Sequence, residues 1–406
     1  MNIKKCLKNG LLMLLSSSML AGCSIAEKVV SKKETVIVDN DEAVTTSLLV
    51  YTPASEQVWV EKELDAFNKA HPKWDLTFET KVVESSEIVN AVQTETEEIP
   101  DVYLFSSEDL PTLINGQVIA ELGGDTLTSI EENNYDSVKK SVTYNDVVYG
   151  VPYSAQTSVL YYDKRVFEKD DVKSLSSILK KGKIGFSLSD AKILQGFYTG
   201  NGCTIYQNSA KFDFSGDKAT NVTKYLMDLV KDTHFVNCTD EDTSISRLHD
   251  GTVNAIIAGT DNYNEIVKAL GEENVGFAKL PTFQINGTDV QMRSLVSTSV
   301  VGVNIGSKNT KVAVALAAYL ASTDSQQEHF NALQACATDK HVKSEDGFVK
   351  IVRAIEKNGV VYPYVVNQDT FFNGLSTLGN DIINKLVTEE NVVDVTNTMQ
   401  NTINAE

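Results

Sequence analysis

Only five histidines occur in 406 residues, and they are scattered, with His234 and Cys238 forming a single i, i+4 pair; no metal site or cofactor is expected. There is no Gly-x-Ser-x-Gly elbow, no His-Glu-x-x-His helix and no phosphate-binding glycine loop, which removes the commonest hydrolase and nucleotide-dependent classes. Repeats and a proline-rich stalk are missing too, and with them the usual marks of an adhesin. Positive charge is short: 36 Lys and Arg stand against 55 Asp and Glu, a net charge of -19, which argues against nucleic acid or anionic lipid as partners. Trp59 and Trp74 are the two tryptophans, and both fall in segments that read as packing. Of five cysteines, Cys6 and Cys23 lie near the N-terminus. That leaves Cys203, Cys238 and Cys336, an odd set compatible with one Cys203 to Cys238 bridge or with three small buried thiols.

The N-terminus carries an address. Lys4, Lys5 and Lys8 precede the apolar run Leu11 to Leu20, which has the length of a signal peptide core and is too short to span a bilayer. It ends in Leu20-Ala21-Gly22-Cys23, which resembles the lipobox of bacterial lipoproteins; the resemblance implies cleavage after residue 22 and acylation of Cys23. Two acyl chains suffice for stable anchoring where one does not. Losing residues 1–22 removes three lysines and no acid, taking the charge from -19 to -22. Residues 23–46, polar and free of Gly and Pro after the lipobox, read as a tether. No later apolar run is long enough to cross a membrane, and the 360 or so residues that follow are too many for one core, so two lobes are expected.

Strand and helix patterns alternate through that body. Ser47 to Thr52 is a short apolar strand, Val60, Leu64 and Phe67 share a helix face, Trp74 to Val82 alternates, Ile88 to Val92 is helical, and Asp101 to Phe105 is a buried strand. This βαβαβ order predicts a parallel sheet whose ligand sits beyond the carboxyl ends of its strands, beside the loops Thr52 to Glu56 and Phe105 to Asp109. Ser55 and Glu56 lie in the first of these loops and Glu108 in the second. Further strands are expected at Lys183 to Ser187, Val253 to Ala258, Val275 to Leu280 and Ser299 to Ile305. A helical C-terminal tail is expected over Lys311 to Ala321, Ser325 to Ala335, Thr370 to Leu386 and Val392 to Ile403, with Thr323 and Gln326 as a capping box for the second of these helices.

An ordered set of short motifs resembles the bacterial extracellular solute-binding proteins of the maltose-binding type, the receptor lipoproteins of carbohydrate ABC importers. The motifs are Leu49-Val-Tyr51 with Phe67-Asn-Lys-Ala-His-Pro72, Pro100-Asp-Val-Tyr-Leu-Phe105, Tyr149-Gly-Val-Pro-Tyr153 with Leu160-Tyr-Tyr-Asp-Lys164, Gly251 to Gly259, Leu280-Pro-Thr-Phe283 with Val300-Val-Gly-Val-Asn304, and Tyr319-Leu320 before Thr323 to Gln327. The resemblance implies an α/β fold of the two-lobed periplasmic-binding-protein type, with residues 47–154 plus 299–331 as one lobe and 155–298 plus 332–406 as the other. Strands would cross between the lobes near Tyr153 to Ser158 and Arg293 to Ser299, and the solute would sit in the cleft. It also implies a monomer without catalysis, bound to the outer face of the cell membrane by its lipid, that passes a sugar to ABC transporter permease subunits.

Position by position, the resemblance places Phe105 and Phe372 where stacking tryptophans stand. Glu108, Gln156 and Asp190 fall on hydrogen-bonding acids. Lys192, Gln195 and Asp261 replace aromatics, and Tyr263 could substitute for one of them. Rings pack on sugar C–H faces and carboxylates accept hydroxyl hydrogen bonds, so Ser55, Glu56, Phe105, Glu108, Gln156, Asp190, Asp261, Tyr263 and Phe372 are the expected ligand set. Each has a plainer alternative, core packing for the rings and solvated surface for the acids. With the aromatic positions eroded, a cationic solute such as a polyamine is the second reading, and a secreted hydrolase the third.

Overall fold

The computed structural model describes residues 43–94, 98–205, 211–362 and 368–404. The signal peptide, Cys23 and most of the tether lie outside the described residues.

The described residues contain a ten-stranded mixed sheet. One end is a parallel set in which Val44–Thr52 pairs with Trp74–Val82 on one side and with Val102–Ser106 on the other. The other end is a second parallel set, Ile184–Phe186 between Phe235–Asn237 and Ala255–Gly259. Two long strands, Val151–Asp163 and Leu295–Val303, lie side by side and antiparallel between these ends, so both sets are sewn into one sheet. The pairing of the long strands shifts register between Ser299 and Val300, where Ser154 faces Ser299 but Pro152 faces Val300. A bulge of this kind bends and twists a ladder, and Pro152 has no N–H to donate to it.

The apolar side chains gather on either side of this seam. One core holds Leu48, Val50, Phe67, Leu104, Val300, Val303 and Leu316, all buried. Another holds Leu160, Phe186, Phe197, Leu226, Phe371, Leu378 and Ile403, and a third, with Tyr161, Ile245, Val275, Val296, Phe348 and Val352, covers further buried residues of the second set and its crossing strands. The fold is the two-lobed α/β architecture with a helical C-terminal region.

Several boundaries differ from the sequence expectation for physical reasons. The first strand begins at Val44 rather than Ser47, because Val44 already pairs with Trp74 and Thr46 donates its hydroxyl to Asn309; the tether is correspondingly shorter. The capping box is displaced by one residue. Ser322 is the cap, accepting from Ser325 N at 3.4 Å, whereas Thr323 Oγ1 donates to Asp339 and Gln326 turns its amide to Ala321 O. Cys203, Cys238 and Cys336 are three buried free thiols, so the bridge alternative falls; burial pushes Cys203 up to about 12.

Candidate ligand cleft

A cavity of about 480 Å³ opens at the seam, within the range of small-molecule sites. Its walls come from chain segments that leave the sheet at strand ends: Pro53, Ser55 and Glu56 after the first strand, Leu104 to Ser106 at the end of Val102–Ser106, and Thr260, Asp261, Tyr263 and Asn264 after Ala255–Gly259. The floor is the crossing pair, Tyr153 to Gln156 with Ser299, and the remaining wall is Leu333 to Cys336.

Glu56 directly precedes the helix Gln57–Ala70 but does not cap it. Its backbone N–H closes a turn onto Pro53 O, and its carboxylate instead takes Nε2 of His329 at 2.6 Å. Tyr153 stands beside this pair; burial, and then the Glu56 carboxylate, raise its phenol well above the ordinary tyrosine value. Gln156 Nε2 donates to Ser299 Oγ at 3.1 Å across the two long strands, leaving its carbonyl oxygen for other donors. Asp261 sits in a single turn, Thr260–Asn262, that the Thr157 N–H ties to the floor through Thr260 Oγ1. Tyr263 leans on Phe348 with ring centroids 4.5 Å apart. The lining residues thus offer two carboxylates, three amides (Gln156, Asn264 and Gln334) and several hydroxyls and rings, with no lysine or arginine among them.

Ser55, Glu56, Phe105, Gln156, Asp261 and Tyr263 line this cavity; Glu108, Asp190 and Phe372 do not. Those three meet in a separate cluster built around Lys192. Its ammonium lies 2.8 Å and 3.0 Å from the two Glu108 carboxylate oxygens and 5.5 Å above the ring of Tyr362, which stacks on Phe372 at 5.0 Å. Burial lowers the Lys192 ammonium, but Glu108, joined by Asp190 and Asp261, more than offsets it and the net shift is upward. Asp190 caps the helix Ala191–Gly200, accepting from Lys192 N at 2.8 Å, so one of its oxygens is already committed. Burial pushes neighbouring Asp109 up to about 6, with Glu108 adding to the effect.

The sequence reading overlooked Tyr153, Asn264, Ser299 and the Leu333 to Cys336 wall. Tyr153 ends the quoted Tyr149 to Tyr153 motif and Asn264 follows Tyr263, so those two were within reach. Residues 333–336 close the cavity after a helix whose end turns through Gln334 in the left-handed conformation, a geometry that glutamine does not signal.

Residues 62–350 match the family model of the bacterial extracellular solute-binding proteins. A solved structure described as being with acarbose is 34% identical, with a TM-score of 0.80, over 89% of this chain and 99% of that one. The maltodextrin-binding protein MalE1 from L. casei BL23, solved without ligand, is 21% identical with a TM-score of 0.84, over 89% of this chain and 100% of that one. The maltose-binding periplasmic protein MalE from Listeria monocytogenes, solved in complex with maltose, is 19% identical with a TM-score of 0.76, over 88% and 97%. These last two establish the fold. No curated protein sequence matches the chain.

Proposed function

The chain belongs to the bacterial extracellular solute-binding proteins, a family of binding proteins rather than enzymes, and from that premise we propose that it binds an oligosaccharide in the cleft and delivers it to an ABC importer. The observation that carries the reading is the cavity itself. It sets the Glu56 and Asp261 carboxylates and the Gln156 amide, acceptors for hydroxyl groups, beside the half-buried ring of Tyr263, while the rings of Phe105 and Tyr153 are buried in the adjoining core. The acarbose-associated relative supports the same class of solute. Residues 47–154 plus 299–331 form one lobe in this reading and 155–298 plus 332–406 the other. Closure is driven by the extra contacts that a solute makes with both walls, and the closed form is what the permease recognises.

A panel of maltodextrins, acarbose and spermidine tests the solute. At about 100 times the dissociation constant a true ligand adds roughly 2.7 kcal/mol to the native state, read as a rise in melting temperature. Trp59, stacked on Tyr153 with centroids 5.3 Å apart, supplies an independent fluorescence signal at the cavity floor. A maltodextrin or acarbose is expected to bind, and Asp261→Ala to weaken that binding roughly 10- to 100-fold, as loss of a hydrogen bond to a charged group does. The carboxylates without a lining cation favour the polyamine as a second reading. A response to spermidine alone would replace the sugar with it.

Anchoring has its own test. No described helix is long and apolar enough to cross a membrane. If Cys23 carries the lipid at the outer face of the cell membrane, Cys23→Ser leaves the protein shed or unprocessed, while the parent chain sediments with membranes. Equal retention of the two would remove the lipoprotein assignment.

A further inference from the structure

His329 lies in the helix Thr323–Leu333 and is fully buried. Two rings fix its plane. The indole of Trp59 meets it edge-on at 4.5 Å and the phenol of Tyr153 at 5.2 Å, and those two rings stack on each other. Trp59 is in turn pinned to the same helix, since its Nε1–H donates to Ser325 O at 3.3 Å. Among the described residues the imidazole makes one hydrogen bond, Nε2 to Glu56 Oε2 at 2.6 Å, and its buried Nδ1 has no partner.

A carboxylate oxygen can only accept, so Nε2 carries the hydrogen. A buried Nδ1 facing no partner loses less as a bare acceptor than as an unpaired donor, which points to the same tautomer. The imidazole is therefore an oriented donor aimed at a carboxylate on the cavity wall, and burial deprives the bond of competing water.

We propose that His329 is a positioning residue for the solute site: its Nε2–H, with the Tyr153 hydroxyl beside it, holds the Glu56 carboxylate in place on the cleft wall. The ring itself is not among the cavity-lining residues, so it acts through Glu56 rather than by touching solute. Coupling of this kind also ties the wall at Glu56 to the helix that leads into the Leu333 to Cys336 wall, so two sides of the cavity share one fixed point. This inference rests on the cleft reading above for its effect on binding, though not for the contact.

The contact is read first in the full chain labelled with 15N-histidine and without added solute. The expected signal is a protonated Nε2 that exchanges slowly with solvent and a bare Nδ1, assigned by its loss in His329→Gln and displaced in Glu56→Gln. An Nδ1–H tautomer, or an Nε2–H indifferent to Glu56→Gln, overturns the proposal. Binding is then compared with the best sugar of the panel. His329→Phe keeps a buried ring and loses the donor, and is expected to weaken binding roughly 10- to 100-fold. His329→Gln, which can still donate, should recover most of that loss. In a Glu56→Gln background the change at 329 should have little further effect, because one interaction is then removed twice. Full additivity of the two changes, or unchanged affinity in a folded His329→Phe, overturns the proposal. A wild type that answers to no sugar sinks the sugar reading instead, and leaves the imidazole signal to decide this one.

Discussion

Phe371→Ala is expected to lower the free energy of unfolding by roughly 3–5 kcal/mol, the usual loss for emptying a well-packed aromatic site. Phe371 is fully buried, stacks on Phe212 with centroids 4.1 Å apart and meets Phe214 edge-on at 5.4 Å. Its helix, Gln368–Ile383, buries Leu375, Leu378 and Ile382 on the same face, and Gly379 lets that helix approach so closely that a Cβ there would fall 2.2 Å from Leu188 O. Neighbours held this tightly cannot collapse into the space left by a ring. The adjacent Phe372→Ala should behave differently. That ring is half-buried and lies against Tyr362 at the surface of the core, so its removal should cost about 1–2 kcal/mol and, since Phe372 does not line the cavity, change sugar affinity little. Denaturant midpoints of the two variants check this; equal losses would show that the two rings share one environment.

A rise in stability at alkaline pH is expected from Glu356→Gln. Glu356 is buried in the helix Gly347–Asn358, and neither carboxyl oxygen has a hydrogen-bond partner among the described residues. Burial pushes it up to about 8 from an ordinary 4.5, and Arg353 only partly offsets that. Between those values the folded chain holds a proton that the unfolded chain has lost, so the acid's contribution is fully present below about pH 4.5 and fades as pH rises through about 8. The shift corresponds to a penalty on the order of 4–5 kcal/mol at high pH. Glutamine keeps the shape and cannot ionise. The melting temperature of the variant should therefore lie well above that of the parent at pH 9 and close to it at pH 4.5; parallel curves over that range would show that the carboxyl finds solvent or a partner when charged. Asp109, pushed up to about 6, pulls both curves in the same direction and drops out of their difference.

What the sequence disclosed follows from which signals are local. Strands such as Val102–Ser106 and Ala255–Gly259 are buried on both faces and read as short unbroken apolar runs, and Val392–Ile403 ends where its apolar period ends. The long strand Val151–Asp163 is harder to see because it carries Pro152, Ser154 and Gln156, residues that serve a bulge and a cavity floor rather than a core. The helix Gly347–Asn358 was absent from the expected set although Phe348, Val349, Val352 and Ile355 mark its buried face; the signal was present and periodic. Cavity residues at strand ends, such as Glu56 and Phe105, were legible because a parallel sheet fixes where its ligand sits. The Lys192 cluster was not, since the partner of Lys192 is Glu108, 84 residues away, and sequence alone does not say which acid a lysine will find.

The two long strands that floor the cavity also bear on when the site comes into being. Thr157 Oγ1 donates to Leu295 O across 138 residues, and Gln156 reaches Ser299 across 143. Loops of that length close slowly, and the first wall at Pro53 waits on the last at Cys336. No shorter leading fragment of the chain contains a complete pocket. A polypeptide emerging from a ribosome or threading through an export channel therefore has no complete pocket with which to hold a solute until residue 336 has emerged, and binding competence is acquired late.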